Sequence, residues 1–331
     1  METKKAFGCL ESEKDPRTVL HSSLVETLAT PLIKGGFNYL PTDILDQKNV
    51  GICTAISHIQ NRNKANGKTY SADFQYLLQK KFYDMNWTEG SSILNSLKVG
   101  VKYGYLPENL WTYTTLADRE LPYSQYIKKL QAITDDQINA LLAQCVDKIL
   151  GYASVQLDPQ SIAQAIMASQ TGVLCRYSCG ESWYTGKNGV ISWQPKDIDP
   201  IQPSVLDTDG HAIGMFSFDY TLNLDQKLCN TWGTLWDIEG TANIIFNVYP
   251  PTEVWTILQT IPPVQPYVFV PTIKFLQIGL PVRMLQQKLG IGADGIFGLK
   301  TLNAVKAFQS THGLISDGIV GIKTCGVLNN L

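Results

Sequence analysis

The sequence predicts an α+β body, helical in its first part and β-rich in its second, followed by a small all-helical module at the C-terminus. Three observations carry this. Apolar residues in the first half recur at a spacing near 3.6. After Gly172 they give way to short β-rich runs separated by Gly, Asn and Asp turns. A proline-rich stretch from Pro250 to Thr272 then precedes a tail in which one motif occurs twice. With 331 residues the chain is long for one small domain and suits two.

Residues 1–37 form a polar N-terminal segment, and the body is read as 38–250. Helical spacing covers 53–63, 71–85, 91–104, 135–150 and 159–170, with stops at Gly67, Gly104 and Gly151 and a capping box at Thr134 and Gln137. Strands are expected in GVLCRYSC from Gly172, HAIGMFSF from His211 and TANIIFNV from Thr241. Pro250, Pro251, Pro262, Pro263, Pro266 and Pro271 interrupt any helix or central strand, so residues 251–274 are read as a semi-rigid linker.

The module, residues 275–331, is an internal duplication. ADGIFGLKTLNAV from Ala293 and SDGIVGIKTCGVL from Ser316 share Asp-Gly-Ile-x-Gly-x-Lys-Thr, which starts once at Asp294 and again at Asp317. In each copy Asp-Gly makes a tight turn, Phe297 or Val320 tucks beneath it, and Thr301 or Thr324 opens a helix.

Composition removes several function classes. Lys and Arg number 27 against 29 Asp and Glu, a net charge of −2, so no basic excess is available for nucleic acid. No apolar run approaches the ~18 to 20 residues of a membrane helix, and the N-terminus lacks the apolar stretch and cleavage site of a signal peptide. Seven scattered cysteines do not form the framework of a small secreted domain and read as mostly free thiols. The module carries +3 and the remainder −5, which lets the module tolerate an anionic surface.

Only four histidines are present. His21 and His312 lie in polar surroundings and read as solvated, and His58, five residues past Cys53, is about 500° around a helix from it and so on another face. His211 follows Gly210 at the entry to a strand. Nineteen residues later comes Asn230-Thr231-Trp232-Gly233-Thr234-Leu235-Trp236, and far upstream Gln47-Lys48-Asn49-Val50-Gly51-Ile52-Cys53-Thr54-Ala55. Taken singly, Cys53 reads as a buried small hydrophobe and His211 as a structural histidine. Cys175 and Cys179 lack a second ligand pair and read as structural rather than metal-binding, and Cys229 reads as core.

In that order the motifs closely resemble the papain-like cysteine peptidases, and Gly51-Ile52-Cys53-Thr54-Ala55 resembles the Gly-Ser-Cys-Thr-Ala of their bacterial and phage-type branch. Leu40-Pro41, Tyr103-Gly104-Tyr105-Leu106-Pro107-Glu108 and the opening from Gly8 to Arg17 are similar too. The resemblance implies a two-lobed fold, a helical lobe plus a β-barrel-like lobe. It implies Cys53 as nucleophile at a helix N-terminus, activated by the macrodipole and an imidazolium, and His211 as its ion-pair partner and proton donor to the leaving amine. Asn230 then orients the imidazole, Trp232 shields that contact, and the Gln47 amide joins the Cys53 backbone N–H in an oxyanion hole. No cofactor and no metal are implied. Residues Trp87 to Ser92 fall where the substrate-binding wall is expected.

The sequence departs from the family pattern at three places: Thr54 follows the nucleophile where papain has Trp, Val50 replaces a disulfide cysteine, and Asp237 replaces a glycine. The segment ahead of Pro41 is shorter than a helical propeptide, so the expectation is either no zymogen or a segment lying over the cleft. The tail, through Leu285-Gln286-Gln287-Lys288-Leu289-Gly290, Asp294-Gly295-Ile296-Phe297-Gly298, Thr301, Phe308-Gln309 and Asp317-Gly318, resembles the three-helix peptidoglycan-binding domain.

The expected function is a cell-wall-targeted cysteine endopeptidase acting on wall peptides or wall-associated proteins, as in a phage lysin, located at the wall or on a virion. The expected partners are peptidoglycan and a peptide or protein substrate, without nucleic acid or a membrane span. Two alternatives stay open: an inactive scaffold that binds the wall, and an intracellular processing protease.

Overall fold

A central helix, α1 (Cys53–Asn66), organises the body of this computed structural model. The structure describes residues 7–15, 18–21, 36–41, 43–180, 182–185, 189–191, 210–219, 225–246, 248–258, 274–275, 280–293 and 296–329. The chain divides into two units, residues 1–13 with 28–259, and residues 14–27 with 260–331.

Every residue of α1 from Cys53 to Asn63 is buried, so this part of the helix has no solvent stripe, and several of its polar side chains bond to other segments inside. Gln60 accepts the Leu45 amide at 2.7 Å, and Asn61 Nδ2 donates to Thr171 O at 2.6 Å. Gly67 ends the helix in the left-handed region at φ 61°, as the expected stop requires. α2 (Ala72–Gln79) and α3 (Ile93–Lys102) pack on α1, capped by Ser71 and Ser92, whose side chains accept the Phe74 and Asn95 amides. α4 (Tyr123–Gln131) and α5 (Asp135–Leu142) complete the helical lobe, with the expected Thr134–Gln137 capping box at the start of α5.

Chain order in the body begins with β1 (Cys9–Leu10) and β2 (Gly36–Asn38), and β3 (Ser91–Ser92) precedes α3. The second lobe holds β4 (Gly151–Ser154), α6 (Pro159–Ser169), β5 (Val173–Ser178), the short α7 (Ser182–Thr185), β6 (Val190–Ile191), β7 (Gly210–Asp219), β8 (Asp225–Cys229), β9 (Thr241–Ile245) and β10 (Glu253–Leu258). Its sheet runs β4-β10-β5-β7-β8-β9-β6, with β2 also paired to β7. The β6–β9 pairing is parallel and the others are antiparallel. α1 packs on β7, which brings the helix that starts at Cys53 against the strand that carries His211. The α+β, two-lobed expectation thus matches, with a mixed sheet as the β lobe.

Several boundaries differ from the sequence reading. Helix 135–150 ends at Leu142, and the glycine read as its stop, Gly151, instead opens β4. α4, β8 and β10 escape the periodicity argument. β10 also corrects the linker: residues 253–258 form a strand between β4 and β5, because the β-branched and aromatic run EVWTIL lies between the proline pairs. Residues 259–273 of that linker, residues 201–209 before His211, and Asp294-Gly295 lie outside the described residues.

The second unit contains three helices among its described residues, α8 (Leu280–Lys288), α9 (Leu299–Thr311) and α10 (Ile322–Asn329), closed around Val282, Leu285, Phe297, Val305, Val320, Cys325 and Leu328. Phe297 and Val320 are both fully buried, as the repeat logic expects. The two halves repeat their polar locks. Gln286 Nε2 donates to Ile296 O at 3.0 Å and Thr301 Oγ1 at 2.8 Å. At the equivalent positions of the second copy, Gln309 Nε2 donates to Ile319 O at 2.9 Å and Thr324 Oγ1 at 3.2 Å. Among the described residues no helix is long and apolar enough to cross a membrane.

Candidate active site

Cys53 is the first residue of α1, where unsatisfied helix amides place partial positive charge. Its sulfur accepts the Ala212 backbone N–H at 3.5 Å, which sets the residue after His211 directly against it. β7 carries His211, and β8 ends at Cys229, opposite Gly214 on β7, so Asn230 emerges next to the histidine. His211 Nε2 lies 2.7 Å from Asn230 Oδ1.

The direction of that bond is settled by a third residue. The Thr231 amide donates to the same Asn230 oxygen at 2.7 Å, so this oxygen is an acceptor and the histidine must donate through Nε2. Neutral His211 therefore carries its proton on Nε2 and leaves Nδ1 as the lone-pair nitrogen, and Nδ1 is buried without a hydrogen-bond partner among the described residues. Trp232 packs on the histidine with its ring centroid 4.9 Å from the imidazole.

Gln47 is fully buried in the same site. Its amide N donates to Val50 O at 3.0 Å, and its Oε1 accepts the Thr231 hydroxyl at 2.5 Å. Glu89 holds the adjoining turn by accepting the Gly51 N–H at 2.7 Å, and burial raises its carboxyl above the ordinary value. The structure thus assembles Cys53, His211, Asn230, Gln47 and Trp232 around one point at the meeting of the lobes.

The segment Phe7–Ser12 lies across that point as a strap. The Gly8 backbone amide faces the Cys53 thiol closely enough to oppose the rise of its pKa, and the Ser91 amide donates to Gly8 O at 3.0 Å. β1 pairs with β3 in parallel, Cys9 opposite Ser91 and Leu10 opposite Ser92. Phe7 packs on His211, Trp232 and Tyr184 at centroid distances of 5.5, 5.6 and 5.3 Å. Arg176 Nε donates to Cys9 O at 3.3 Å, and the Ser12 amide donates to Glu253 at 2.7 Å.

Close backbone approach makes glycine necessary along this path. A Cβ on Gly8 would stand 2.2 Å from Gly51 O, and one on Gly210 would stand 2.1 Å from Cys9 O. Gly90, at φ 88°, faces Gly8 O from the other wall.

The strap changes the electrostatics expected from the sequence. Cys53 and His211 are both completely buried. Burial pushes the Cys53 thiol up to about 11 despite the Ala212 and Gly8 amides, and pulls His211 down to about 4 despite the Asn230 bond. In the covered site burial thus opposes the charged form of both groups, and so works against the thiolate–imidazolium pair that the sequence reading expects.

The other sequence candidates separate from the site. His58 bonds Ser96 Oγ at 2.9 Å and Tyr105 OH at 2.8 Å on a different face of α1, and burial lowers it to about 3. His312 is exposed. His21, read as solvated, is 5 % exposed, a correction; burial lowers its pKa. Cys175, Cys179 and Cys229 are buried, the first two within the apolar cluster of the second lobe. Asp237 accommodates the turn of the missing glycine by adopting φ 44° and accepts the Gly189 amide at 2.9 Å. Sequence reasoning gave no site role to Ala212, Thr231, Gly51 or Gly210, whereas Gly90 falls in the segment expected as the substrate-binding wall. Gly51 and Gly210 adjoin motif residues, whereas nothing in the pattern marks Thr231.

Comparisons with known proteins bear on the fold of each unit. Residues 279–328 match the family described as "Putative peptidoglycan binding domain". A comparison with curated proteins found no match. Among solved structures, the chain is similar to xylellain, a cysteine protease from Xylella fastidiosa, at TM-score 0.60 and 20% identity, covering 78% of this chain and 98% of that one. It is also similar to digestive procathepsin L 3 of Tenebrio molitor larval midgut, at TM-score 0.51 and 15% identity, covering 77% and 76%. Bromelain protease from Ananas comosus, in complex with E64, aligns at TM-score 0.51 and 14% identity, covering 70% and 100%. The body therefore has the fold of papain-like cysteine proteases, and the three-helix module carries the match to peptidoglycan-binding domains.

Proposed function

We propose that the protein is a cysteine endopeptidase of the bacterial cell wall, cleaving peptide bonds of wall peptides or wall-associated proteins through a Cys53 thioester. The observation that carries this is the Cys53–Ala212–His211–Asn230 chain of contacts in a papain-like fold. In the open site His211 Nδ1 takes the Cys53 proton, the thiolate attacks the carbonyl carbon, and the C–N bond breaks as His211 returns the proton to the leaving amine. Water, deprotonated by the same nitrogen, then hydrolyses the thioester and restores the thiol. Asn230 holds the imidazole through Nε2 and leaves Nδ1 as the nitrogen free to exchange the proton. The Cys53 backbone N–H and the Gln47 amide, once turned from Val50 O, supply the donors for the oxyanion.

The match of the C-terminal module supports the wall as the place of action, since tethering raises the local concentration of substrate. The strap supports a latent resting state, with Phe7 on the histidine side and Gly8 over the sulfur blocking entry. Parallel digestion of purified peptidoglycan and of an unfolded protein, wild type against Cys53→Ala, with mass spectrometry of the products, tests the reading. Cleavage that survives Cys53→Ala removes it, and cleavage of the protein alone moves the substrate from wall peptides to proteins.

A further inference from the structure

We propose that the strap covers a charged subsite beside Cys53, formed by Arg176 and Glu253. It accepts a peptide residue whose side chain ends in a zwitterion, an ammonium and a carboxylate on one carbon, as in a diamino-dicarboxylic acid. This rests on the reading of Cys53 as a peptidase nucleophile.

Strand alternation places the pair. Leu174 on β5, Ala212 on β7 and Trp255 on β10 belong to the same buried cluster as Cys53 and Cys9, which marks the sheet face turned toward α1. Arg176, two residues past Leu174 and opposite Ala212 in the register, lies on that face, and so does Glu253, two residues before Trp255. Arg176 and Glu253 are themselves directly opposite across β5 and β10, a pairing that sets Cβ atoms about 4.5–5.5 Å apart. Arg176 is 5% exposed. Its guanidinium runs past Gly210, where a Cβ would stand 2.6 Å from Nε and Nη2, so the glycine before His211 leaves room for it.

Both charged heads are turned to the strap. Arg176 Nε donates to Cys9 O at 3.3 Å and Nη1 to Thr252 Oγ1 at 2.9 Å. Glu253 accepts the Ser12 amide at 2.7 Å and Trp255 Nε1 at 3.0 Å. Charges on an inner, largely apolar face are no better for folding than well-packed apolar residues, so their use lies in what passes over them. Between these two contacts Cys9 is completely buried. Burial holds its thiol well above the ordinary value, and after Cys53 the charges acting on it are Glu253, which adds to the rise, and Arg176, which opposes it. The space that Cys9 fills therefore adjoins the nucleophile on one side and the cation and carboxylate on the other.

When the strap lifts, each head loses a partner in a setting poor in water. A substrate residue with one charge satisfies one head only, and an apolar residue leaves both without a partner, which costs affinity. A zwitterionic end meets both at once, its carboxylate on the guanidinium and its ammonium on Glu253, across the width of a single cross-strand pair.

The experiment uses the full-length chain and alanine-rich fluorogenic peptides that differ at one central residue: diaminopimelate, Lys, Glu or Leu. Mass spectrometry locates the bond cut. The strap lowers the rate on every peptide by the same factor, so ratios of kcat/KM read the subsite alone. The diaminopimelate peptide is expected to exceed the Leu peptide by about 10²-fold or more, and the Lys and Glu peptides by about tenfold. Arg176→Met removes the advantage over Lys, Glu253→Gln removes the advantage over Glu, and Arg176→Lys, which keeps the charge, retains part of the preference. Calorimetry with the Cys53→Ala chain is expected to give the same order of affinities without turnover. A Leu, Lys or Glu peptide cut as well as the diaminopimelate peptide, or a preference unmoved by Arg176→Met and Glu253→Gln, overturns the subsite and leaves the peptidase reading intact. Zwitterion-selective binding to the Cys53→Ala chain with no Cys53-dependent cleavage by the parent removes the peptidase reading and keeps the pocket. Neither selective binding nor cleavage overturns both.

Discussion

His211 and Asn230 are joined by a bond whose donor is fixed: the Thr231 amide occupies the same Asn230 oxygen, so the imidazole gives its Nε2 proton and keeps its Nδ1 lone pair. The position of the proton on the ring is therefore set by backbone geometry before any substrate arrives. Replacing Asn230 with Ala frees the ring to take the other tautomer. On the proposed function, turnover at the uncovered site is expected to fall by about 10²-fold in kcat, with KM little changed, as measured by initial rates on a peptide substrate.

Truncation of residues 1–13 uncovers Cys53. Iodoacetamide labelling at neutral pH, followed by mass spectrometry, should then proceed at least tenfold faster than in the full-length chain. Gly8→Ala should act in the same direction, because its Cβ would stand 2.2 Å from Gly51 O and the strap must lift. Equal labelling rates in all three chains would show that the strap does not guard the sulfur.

The pH dependence of labelling follows from the same contact. In the covered site the thiol is held up to about 11 by burial, so the reactive thiolate fraction rises about tenfold per pH unit from neutrality toward that value. Removing the strap restores hydration and brings a plateau at lower pH. The check is the labelling rate against pH for both chains.

Acid should weaken the fold through its buried histidines. Burial lowers His211 to about 4 and His58 to about 3, so each favours the folded state fully above the ordinary histidine value of about 6.5. That contribution is lost as pH falls through the folded values. Urea midpoints should therefore decline from pH 6.5 toward 4, and His58→Gln should show a shallower decline.

One buried ion pair carries the loop that holds Gln47. Asp73 accepts from Arg119 Nε at 3.0 Å, Tyr126 OH at 2.7 Å and Thr114 Oγ1 at 2.8 Å, and Arg119 Nη1 reaches Asp46 O at 2.9 Å. Asp73→Ala strands a buried guanidinium and is expected to cost about 3–5 kcal/mol in urea unfolding. A variant as stable as wild type would show that water or another carboxylate takes over the arginine.

Much of the candidate site is legible only through the resemblance that the motifs around Cys53, His211 and Asn230 carry in that order, since each residue by itself reads as structural. The same reading missed β10, because prolines on either side of 253–258 dominate the local pattern while the strand is stabilised by β4 and β5, which lie far upstream in the chain. It also placed His21 in solvent, since a polar neighbourhood in sequence is not an exposed one in space.

By itself the sequence determined the α+β order and the duplicated module, because periodicity, turn residues and repeats are short-range properties, and its motifs named the side chains that the structure gathers at the start of α1. Tertiary structure alone decided which proton His211 holds, how Gln47 is engaged, and that Gly8 lies on the Cys53 sulfur. Those depend on hydrogen-bond directions and desolvation, which arise only when segments far apart in the chain exclude water from one another.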